Sequence, residues 1–496
     1  MSDEHLDPSH LETLDRDLGR LSTLEQATAY VSRPMMGFGI ALLFVVFAGL
    51  VAALVFGQTN NTFIVVVAAA FGAYMALNIG ANDVANNMGP AVGANAMSMG
   101  AAIVIAAIFE SAGALLAGGD VVSTIAKGII EPTSMGTAEV FIWAMLAALL
   151  SAALWVNLAT WVGAPVSTTH SVVGGVMGAG IAAAGFAAVN WPTMSAIAAS
   201  WVISPVLGGL IAALFLALIK SRIIYQDDKI AAARKWVPVL VGIMAGAFAT
   251  YLALKGLKKI IKIDLPTALI IGAVVGAGIW AIMIPVIRKQ SQGLENRNKS
   301  LKVLFGIPLV VSAALLSFAH GANDVANAVG PLAAIVQASQ SGNFTEAVSI
   351  PIWVMIIGAF GISFGLFLFG PKLIRMVGSQ ITKLNPMRAY CVALSAAITV
   401  IIASWLGLPV SSTHIAVGAV FGVGFFREWD AERRIKKARI AMPSRPVYAP
   451  EERRRRKLVR RSHFMTIVAA WVITVPAAAA LSAAIFYLIS SLSGSI

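Results

Sequence analysis

The chain has 496 residues, of which 58% are hydrophobic and only 12% are charged, and its mean hydropathy is +0.83. A soluble domain carries about a quarter charged residues, so this composition excludes a soluble globular protein and indicates a polytopic membrane protein. The net charge of +13 fits the excess of Lys and Arg on the cytoplasmic side of membrane spans better than it fits a nucleic-acid surface. The single cysteine, Cys391, excludes an internal disulfide.

Residues 1–36 are polar and rich in acids, and they lack the basic start and apolar core of a secretory signal. We therefore expect a cytoplasmic tail. Its leucines recur at helical spacing, which fits either a short amphipathic helix on a surface or a solubilising tail; they are Leu6, Leu11, Leu14, Leu18 and Leu21.

The hydropathy pattern predicts an all-α protein with about 12 membrane segments, because a span needs about 20 apolar residues. The segment from Arg427 to Arg461 carries fourteen Lys or Arg and five acids, which predicts a cytoplasmic loop, with contact to anionic lipid as the alternative. The predicted order is a first membrane repeat over 37–219, connecting loops and two spans over 220–302, a second repeat over 303–426, the basic loop over 427–463, and a last transmembrane helix over 464–496.

Two unlike motifs each occur twice. GANDVAN stands at 80–86 and 321–327, and GAPVSTTH at 163–170 matches GLPVSSTH at 407–414. The spacings between the motifs are 163 − 80 = 83 and 407 − 321 = 86 residues. This near-equality predicts an internal duplication, as in many secondary transporters. Seven predicted spans separate the GANDVAN copies, and an odd number inverts the second repeat relative to the first.

Each GANDVAN string places an aspartate in apolar sequence, where a charged side chain costs about 2.5–3.5 kcal/mol on insertion scales and usually faces a functional cavity. Nearby glycines and Gly-Pro pairs predict broken helices around both strings. Amide and carboxylate oxygens suit a hard cation such as sodium, and residues four apart share a helix face. Helix capping by the same side chains is the alternative. The candidate cation ligands are Asn82, Asp83, Asn86, Asn323, Asp324 and Asn327.

The second motif places a proline before three hydroxyl residues. Hydroxyls and free backbone N–H groups therefore gather at a helix N-terminus, an arrangement that binds oxyanions. Hydroxyls that bond back to their own helix are the alternative. The candidate anion ligands are Ser167, Thr168, Thr169, Ser411, Ser412 and Thr413. The terminal histidines, His170 and His414, fit hydrogen-bonded core positions.

Glu110 is an acid within an apolar span, and it could bind a cation, take up a proton or pair with Lys127. A run of small residues that includes Gly174 and Gly178 predicts close helix packing rather than a nucleotide loop. The chain contains no Walker string and no zinc-type Cys/His cluster, which argues against an ATP-driven pump.

Together, the two GANDVAN strings and the two PVS(T/S)TH strings resemble the PiT family of inorganic phosphate transporters over nearly the whole membrane core. The resemblance implies symport of phosphate with sodium, or in other branches with protons, through a site between inverted repeats. It implies that Asn82, Asp83, Asn323 and Asp324 lie in the cation and phosphate site, and that Ser167, Thr168, Ser411 and Ser412 are oxyanion donors.

Glu110 matches an acid that members of this family carry after the first GANDVAN. Sodium-type members commonly have a second-half glutamate, and our alignment places Val392 near that position. The strings otherwise look more like the sodium branch than the proton branch.

The leading hypothesis is a non-enzymatic importer of inorganic phosphate in the inner or plasma membrane. It would use no cofactor beyond a co-transported sodium ion or proton. Sulfate or metal–phosphate transport on the same fold is the alternative. An intramembrane hydrolase fits poorly, because the motifs repeat as pairs whereas a hydrolase needs one asymmetric constellation. The expected partners are phosphate and the lipid bilayer, without nucleic acid, and the sequence is compatible with a homodimer.

Overall fold

The computed structural model describes residues 36–57, 61–162, 166–256, 263–341, 350–380, 384–441 and 461–493. Within these ranges the protein is helical, with one isolated bridge between Ile130 and Val189. Eleven of the described helices are long and apolar enough to cross a membrane, which confirms the predicted all-α polytopic fold. The acidic tail up to residue 35, Pro165 and residues 442–460 of the basic loop lie outside the described residues.

The helices before the second GANDVAN string are α1 (Met36–Phe56), α2 (Thr62–Asn82), α3 (Val84–Gly93), α4 (Met99–Ala117), α5 (Gly119–Ser123), α6 (Ala138–Val162), α7 (Thr168–Ala184), α8 (Trp191–Ile219), α9 (Lys229–Lys255), α10 (Leu265–Gln290) and α11 (Asn298–Leu304). The others are α12 (Gly306–Ser341), α13 (Ile352–Gln380), α14 (Pro386–Trp405), α15 (Ser412–Ala441) and α16 (Arg461–Ser493).

The second repeat is inverted relative to the first, and the directions of α7 and α15 show it. Helix α8 is the reference, since it begins beside Asn190 and ends beside Lys220. Helix α7 begins at the first hydroxyl motif and ends shortly before Asn190. Helix α15 begins at the second hydroxyl motif and reaches Lys220, which pairs with Asp430 at 2.7 Å. The two helices therefore run from the hydroxyl motifs toward opposite ends of the bundle, as predicted from the sequence.

The glycines of α7 and α15 allow equivalent close packing in the two repeats. A Cβ atom on Gly178 would lie 2.2 Å from the carbonyl oxygen of Ala479 on α16, and one on Gly422 would lie 2.0 Å from that of Gly209 on α8. These contacts confirm that the small-residue pattern serves helix packing. They also make α16 the counterpart of α8. The last helix therefore holds in the second repeat the position that α8 holds in the first, and each of the two packs on the other repeat.

The helix breaks predicted at both GANDVAN strings occur only at the first. Asp83 separates α2 from α3, whereas α12 continues through Asp324 and Pro331 without interruption. The prediction for the second string is wrong because its glycines serve close approach rather than breakage. A Cβ on Gly330 would lie 2.6 Å from the Ile125 side chain, and one on Gly321 would lie 2.1 Å from the carbonyl oxygen of Glu110.

Three charged segments that are distant in sequence meet at one end of the bundle. Lys220 pairs with Asp430, the Arg234 guanidinium donates to the Ser291 hydroxyl at 2.7 Å, and other polar contacts join the loops after α8 and α10. We call this region, formed by residues 220–235, 288–302 and 427–434, the basic end. The other end of α9 lies far from it, where Lys255 pairs with Asp120.

The packing of α7 on α16 predicts that Gly178→Ala destabilises the protein. The added methyl group meets backbone atoms that cannot rotate away, and overpacking of this kind costs about 1–3 kcal/mol. The measurement is the thermal unfolding midpoint of the purified protein in detergent. Gly278→Ala on α10 is the matched control, because a Cβ there meets nothing within 4 Å and alanine favours a helix over glycine. Equal midpoints for the two variants would contradict the predicted contact.

Candidate functional site

The two GANDVAN aspartates meet in the interior of the protein. Asp83 is 2% exposed and Asp324 is 1% exposed. Each offers one carboxylate oxygen to a cluster with a ring nitrogen of His320, in which all three atoms lie within 4.8 Å of one another. Helices α2 and α12 run antiparallel, since Asn61 before α2 donates to the Ser339 carbonyl near the end of α12. This arrangement brings the centres of both strings together.

Hydroxyl groups from both PVS(T/S)TH motifs point at these carboxylates. Thr168 donates to Asp83 Oδ2 at 2.8 Å, and its counterpart Ser412 donates to Asp324 Oδ2 at 3.0 Å. Thr413 donates to Asp83 Oδ1 at 3.0 Å, from the opposite repeat. Asp83 therefore accepts hydrogen bonds from the start of α7 and from the start of α15.

The asparagines divide into two equivalent pairs. Asn86 donates to Thr413 at 2.9 Å, and Asn327 donates to Thr169 at 3.1 Å, so each spans the interface between the repeats. The other pair stays within its repeat. Asn82 donates to Thr160 on α6 at 3.1 Å, and Asn323 donates to Ser404 on α14 at 3.0 Å. Helical spacing led us to expect Asn82 and Asn86 at one point, but they bond to different elements.

Ser167 and Ser411 occupy the capping positions of α7 and α15. Ser167 Oγ accepts the backbone N–H of His170 at 3.2 Å, and Ser411 Oγ accepts that of His414 at 3.3 Å. These bonds satisfy a free N–H group in the first turn of each helix. The hydroxyls of Thr168, Ser412 and Thr413 lie at the carboxylates instead.

The two histidines pack behind the hydroxyl motifs rather than at the carboxylates. The His170 ring lies 4.5 Å from that of His414 and stacks on Trp201 with 3.8 Å between ring centroids. Both rings are buried. This placement agrees with the core role expected for them.

Glu110 reaches the centre through His320, a residue that the sequence analysis did not single out. Glu110 Oε2 lies 2.6 Å from His320 Nδ1, and His320 Nε2 lies 2.7 Å from Asp324 Oδ2. Asn87 donates to the other oxygen of Glu110 at 2.9 Å. His320 stands four residues before Asp324 on α12 and directly before the second GANDVAN string. This position next to the string was the signal in the sequence that could have identified His320 as a candidate site residue.

The crossing of neighbouring helices identifies the symmetry counterparts of this charged pair. A Cβ on Gly321 would meet the carbonyl oxygen of Glu110, and a Cβ on Gly80 would meet that of Ile362 at 1.9 Å. Ile362 on α13 is therefore the counterpart of Glu110 on α4. Val392, near which the alignment places the second-half glutamate of sodium-type members, is buried in α14 and is therefore a different position from the counterpart of Glu110.

The same correspondence makes one side of the centre apolar where the other side is charged. Ile79 precedes the first GANDVAN string as His320 precedes the second. The pair Glu110–His320 is thus matched by the pair Ile362–Ile79. The asparagines of the two strings, and Thr168 with Ser412, follow the two-fold symmetry of the repeats. Thr413 donates to Asp83, whereas its counterpart Thr169 donates to the Val410 carbonyl, and the additional charges lie on one side only.

The centre holds more negative charge than the described residues around it neutralise. Asp83, Asp324 and Glu110 are three buried carboxylates and His320 is one base, so a protonated His320 would leave 3 − 1 = 2 negative charges. Asp324 Oδ1 and Asn327 Oδ1 are buried without a hydrogen-bond partner among the described residues. Buried carboxylates are neutralised by a counter-ion or by a bound proton, and oxygens of this kind suit a hard cation.

A membrane protein with inverted repeats, paired carboxylates and two helix N-termini at the repeat interface has the architecture of a secondary transporter. The chain belongs to the phosphate transporter family, whose sequence model matches residues 79–482. As a member of that family it is a phosphate transporter rather than an enzyme.

Individual relatives of the chain support the same family. The chain is 53% identical over 416 residues to a Helicobacter pylori protein named "Putative phosphate permease", with coverage of 83% of this chain and 78% of the relative. It is 37% identical over 445 residues to the Arabidopsis thaliana protein "Inorganic phosphate transporter 2-1, chloroplastic", with coverage of 83% and 70%. A solved structure, "The sodium-dependent phosphate transporter", is similar at a TM-score of 0.78 and 35% identity, with coverage of 86% and 99%.

The contact between Glu110 and His320 predicts energetic coupling of the two residues. Removing one partner by Glu110→Ile or His320→Ile leaves the other buried and unpaired, at a cost of about 3–5 kcal/mol. The double substitution reproduces the apolar Ile362–Ile79 pair. We expect it to cost less than the sum of the single substitutions, by about 0.5–3 kcal/mol. The measurement is the free energy of unfolding in micelles by denaturant titration.

The same cycle with Glu139→Ile in place of Glu110→Ile is the control, because Glu139 lies at the start of α6, where its carboxylate contacts Trp143. That cycle should be additive. Additivity between Glu110 and His320 as well would contradict their coupling.

Proposed function

We propose that the protein is a symporter that imports inorganic phosphate and couples it to a cation, with sodium favoured over the proton. Phosphate transport follows from the family. The observation that supports a coupled cation is the buried cluster of Asp83, Asp324 and Glu110, whose charge exceeds what His320 can offset. A cation bound there would reduce this excess negative charge before an anion enters.

The assigned cation ligands are the oxygens of the GANDVAN strings. Asp324 Oδ1 and Asn327 Oδ1 are buried acceptors that still lack a partner among the described residues, and Asp83 lies in the same cluster. Oxygen donors of this type suit sodium. The similarity to a sodium-dependent phosphate transporter over 99% of that chain supports the same ion.

The phosphate ligands are the hydroxyls and backbone N–H groups at the starts of α7 and α15. Two helix N-termini from opposite repeats offer donors on two sides of a tetrahedral oxyanion. Thr168, Thr169, Ser412 and Thr413 are the hydroxyl donors in this proposal. Ser167 and Ser411 support them by capping the helices, as their hydrogen bonds to His170 and His414 indicate.

A competition for hydroxyl protons would link the two ligands. Each hydroxyl has one proton to donate, and Thr168, Thr413 and Ser412 donate theirs to the aspartates in this conformation. A cation on the carboxylates would take over the stabilisation of their charge and release the hydroxyls to donate to phosphate. The two ligands would then bind cooperatively, each raising the affinity for the other.

We further propose that the basic end faces the cytoplasm of the cell's inner or plasma membrane. Its three segments carry many of the chain's cations, and short loops rich in Lys and Arg remain on the cytoplasmic side. The transport centre lies between this end and the opposite end of the bundle.

Substitution of either central aspartate should abolish coupled uptake. Asp83→Asn and Asp324→Asn keep the size of the side chain and remove the charge that holds the cation. The measurement is uptake of labelled phosphate by proteoliposomes under an imposed sodium gradient, and separately under a proton gradient. Asp264→Asn, at an exposed helix start, is the matched control and should retain wild-type uptake.

Wild-type uptake that ignores both gradients would contradict symport, and normal uptake by either aspartate variant would contradict its assignment. Excess unlabelled sulfate, added to the same vesicles, reports the selectivity. Phosphate near neutral pH still carries a proton that a carboxylate can accept, whereas sulfate carries none. We therefore expect sulfate to compete poorly.

The hydroxyl of Thr413 should contribute to the affinity for phosphate and the cation together. Thr413→Val removes the hydroxyl that reaches Asp83 from the opposite repeat, whereas Thr413→Ser keeps it. A hydrogen bond to a charged group contributes about 1.5–3 kcal/mol, so we expect the valine variant to raise the phosphate KM about tenfold or more. The measurement is phosphate uptake as a function of phosphate concentration at several sodium concentrations. Identical KM values for the valine and serine variants would exclude the hydroxyl from the site.

A further inference from the structure

The basic end contains a cavity of about 640 Å³ that the transport mechanism does not use. Its walls come from the ends of α8, α11, α14 and α15. Six cationic side chains line it, while Asp430 is the single acid among its described lining residues. The cations are Lys220, Lys299, Lys302, Arg388, Arg427 and Arg434.

The single acid is already engaged. Asp430 accepts hydrogen bonds from Lys220 at 2.7 Å and from the Tyr225 hydroxyl. Burial opposes its charge, but these two bonds hold the pKa of Asp430 below its usual value, so the carboxylate stays ionised. Arg434 lies over the Tyr225 ring at 3.8 Å. Asp430 thus offsets one cation, and five positive charges remain in the cavity lining.

Two of the remaining cations, Arg388 and Arg427, lie where their positive charges repel each other. Arg388 at the start of α14 and Arg427 on α15 are both half-buried, and their charges lie close enough to act on each other. Neither guanidinium group has an acidic partner within 4 Å in the described part of the chain, and the adjacent Glu428 acts on Arg427 from a longer distance. Two like charges in a partly desolvated cavity repel each other unless an anion lies between them.

The chemistry of the walls fits phosphate groups. A guanidinium presents a planar fork of N–H donors that matches the oxygens of a phosphate. Apolar atoms of Leu216, Ile224 and Met387 complete the lining, and they lower the access of water to the charges. A cavity of this volume lies within the range of sites for small-molecule ligands.

The cavity is separate from the transport centre. Arg388 stands 16 residues before Ser404 on α14, and Arg427 stands 15 residues after Ser412 on α15. With a rise of about 1.5 Å per helical residue, these separations correspond to about 24 Å and about 22 Å. A ligand in the cavity therefore does not contact Asp83 or Asp324.

We propose that this cavity binds an anion that carries two or more phosphate groups. A net lining charge of 6 − 1 = +5 exceeds what one phosphate can neutralise. A soluble oligophosphate and a diphosphate lipid headgroup both present this chemistry, and basic pockets between transmembrane helices are known to hold such headgroups. Helix α8 belongs to the first repeat and α14 and α15 to the second, so the anion stabilises this contact between the repeats. The proposal does not depend on the coupling ion or on the transported substrate.

The test uses the full-length protein purified in a neutral detergent. One arm titrates inorganic tripolyphosphate, and the other titrates cardiolipin in mixed micelles, with binding followed by calorimetry. Arg388→Gln and Arg427→Gln each remove one guanidinium and should weaken binding about tenfold or more, as expected for the loss of a hydrogen bond to a charged group. Arg433→Gln is the matched control, since Arg433 lies on α15 next to the cavity residue Arg434 but contacts Trp429.

Binding of tripolyphosphate that is weakened in the two cavity variants and unchanged in the control supports a soluble ligand. The same pattern with cardiolipin alone supports a lipid headgroup. Equal affinity of cavity and control variants for both probes would overturn the proposal, as would orthophosphate that binds as tightly as tripolyphosphate. Asp324→Asn should bind the active probe as the wild type does, which separates this site from the transport centre. If either arginine variant fails to fold, Lys302→Gln takes its place.

Discussion

The burial of two aspartate carboxylates at the interface of two inverted repeats is the constraint on which the rest of this structure depends. Hydrocarbon does not stabilise such charges, so the protein brings donors to them from both repeats. Thr168 and Thr413 donate to Asp83, and Ser412 donates to Asp324. The donors reach the centre because α7 and α15 begin there, and the helices approach because glycines such as Gly321 leave room for backbone contact. The polar side chains of the centre therefore depend on the glycines that allow the helices to pack closely.

Duplication and divergence contribute different parts of the site. Most of the hydroxyls and asparagines follow the two-fold relation between the repeats, which places hydroxyl groups on two sides of the centre. Glu110 and His320 do not follow it, because their counterparts are Ile362 and Ile79. Under the proposed function, two related surfaces would hold a tetrahedral anion, and charge on one side would give the proposed cation site a polarity that a symmetric site lacks. Asn87, which donates to Glu110, adds to this asymmetry because its counterpart is Ala328.

The two ends of the helix bundle also differ in charge. Cationic segments that are distant in sequence meet at one end, where Arg388 and Arg427 face a shared cavity without acidic partners among the described residues. Folding brings these like charges together at an electrostatic cost. The proposed anion with several phosphate groups would remove that cost and bridge α8 with α14 and α15.

The amino-acid sequence by itself determined the membrane class, the duplication, the family resemblance and the two motifs, because each depends on composition or on short strings that are visible without contacts. The odd number of predicted spans between the two GANDVAN copies also predicted that the second repeat is inverted relative to the first. Only the tertiary structure decided that α12 runs unbroken, that Ser167 caps a helix while Thr168 reaches Asp83, and that Ile362 is the counterpart of Glu110. The same limit hid His320, whose partners Glu110 and Asp324 include one that lies 210 residues away. Periodicity reports which side chains share a helix face, whereas partners across an interface depend on how helices cross, and that is set by packing between segments far apart in the chain.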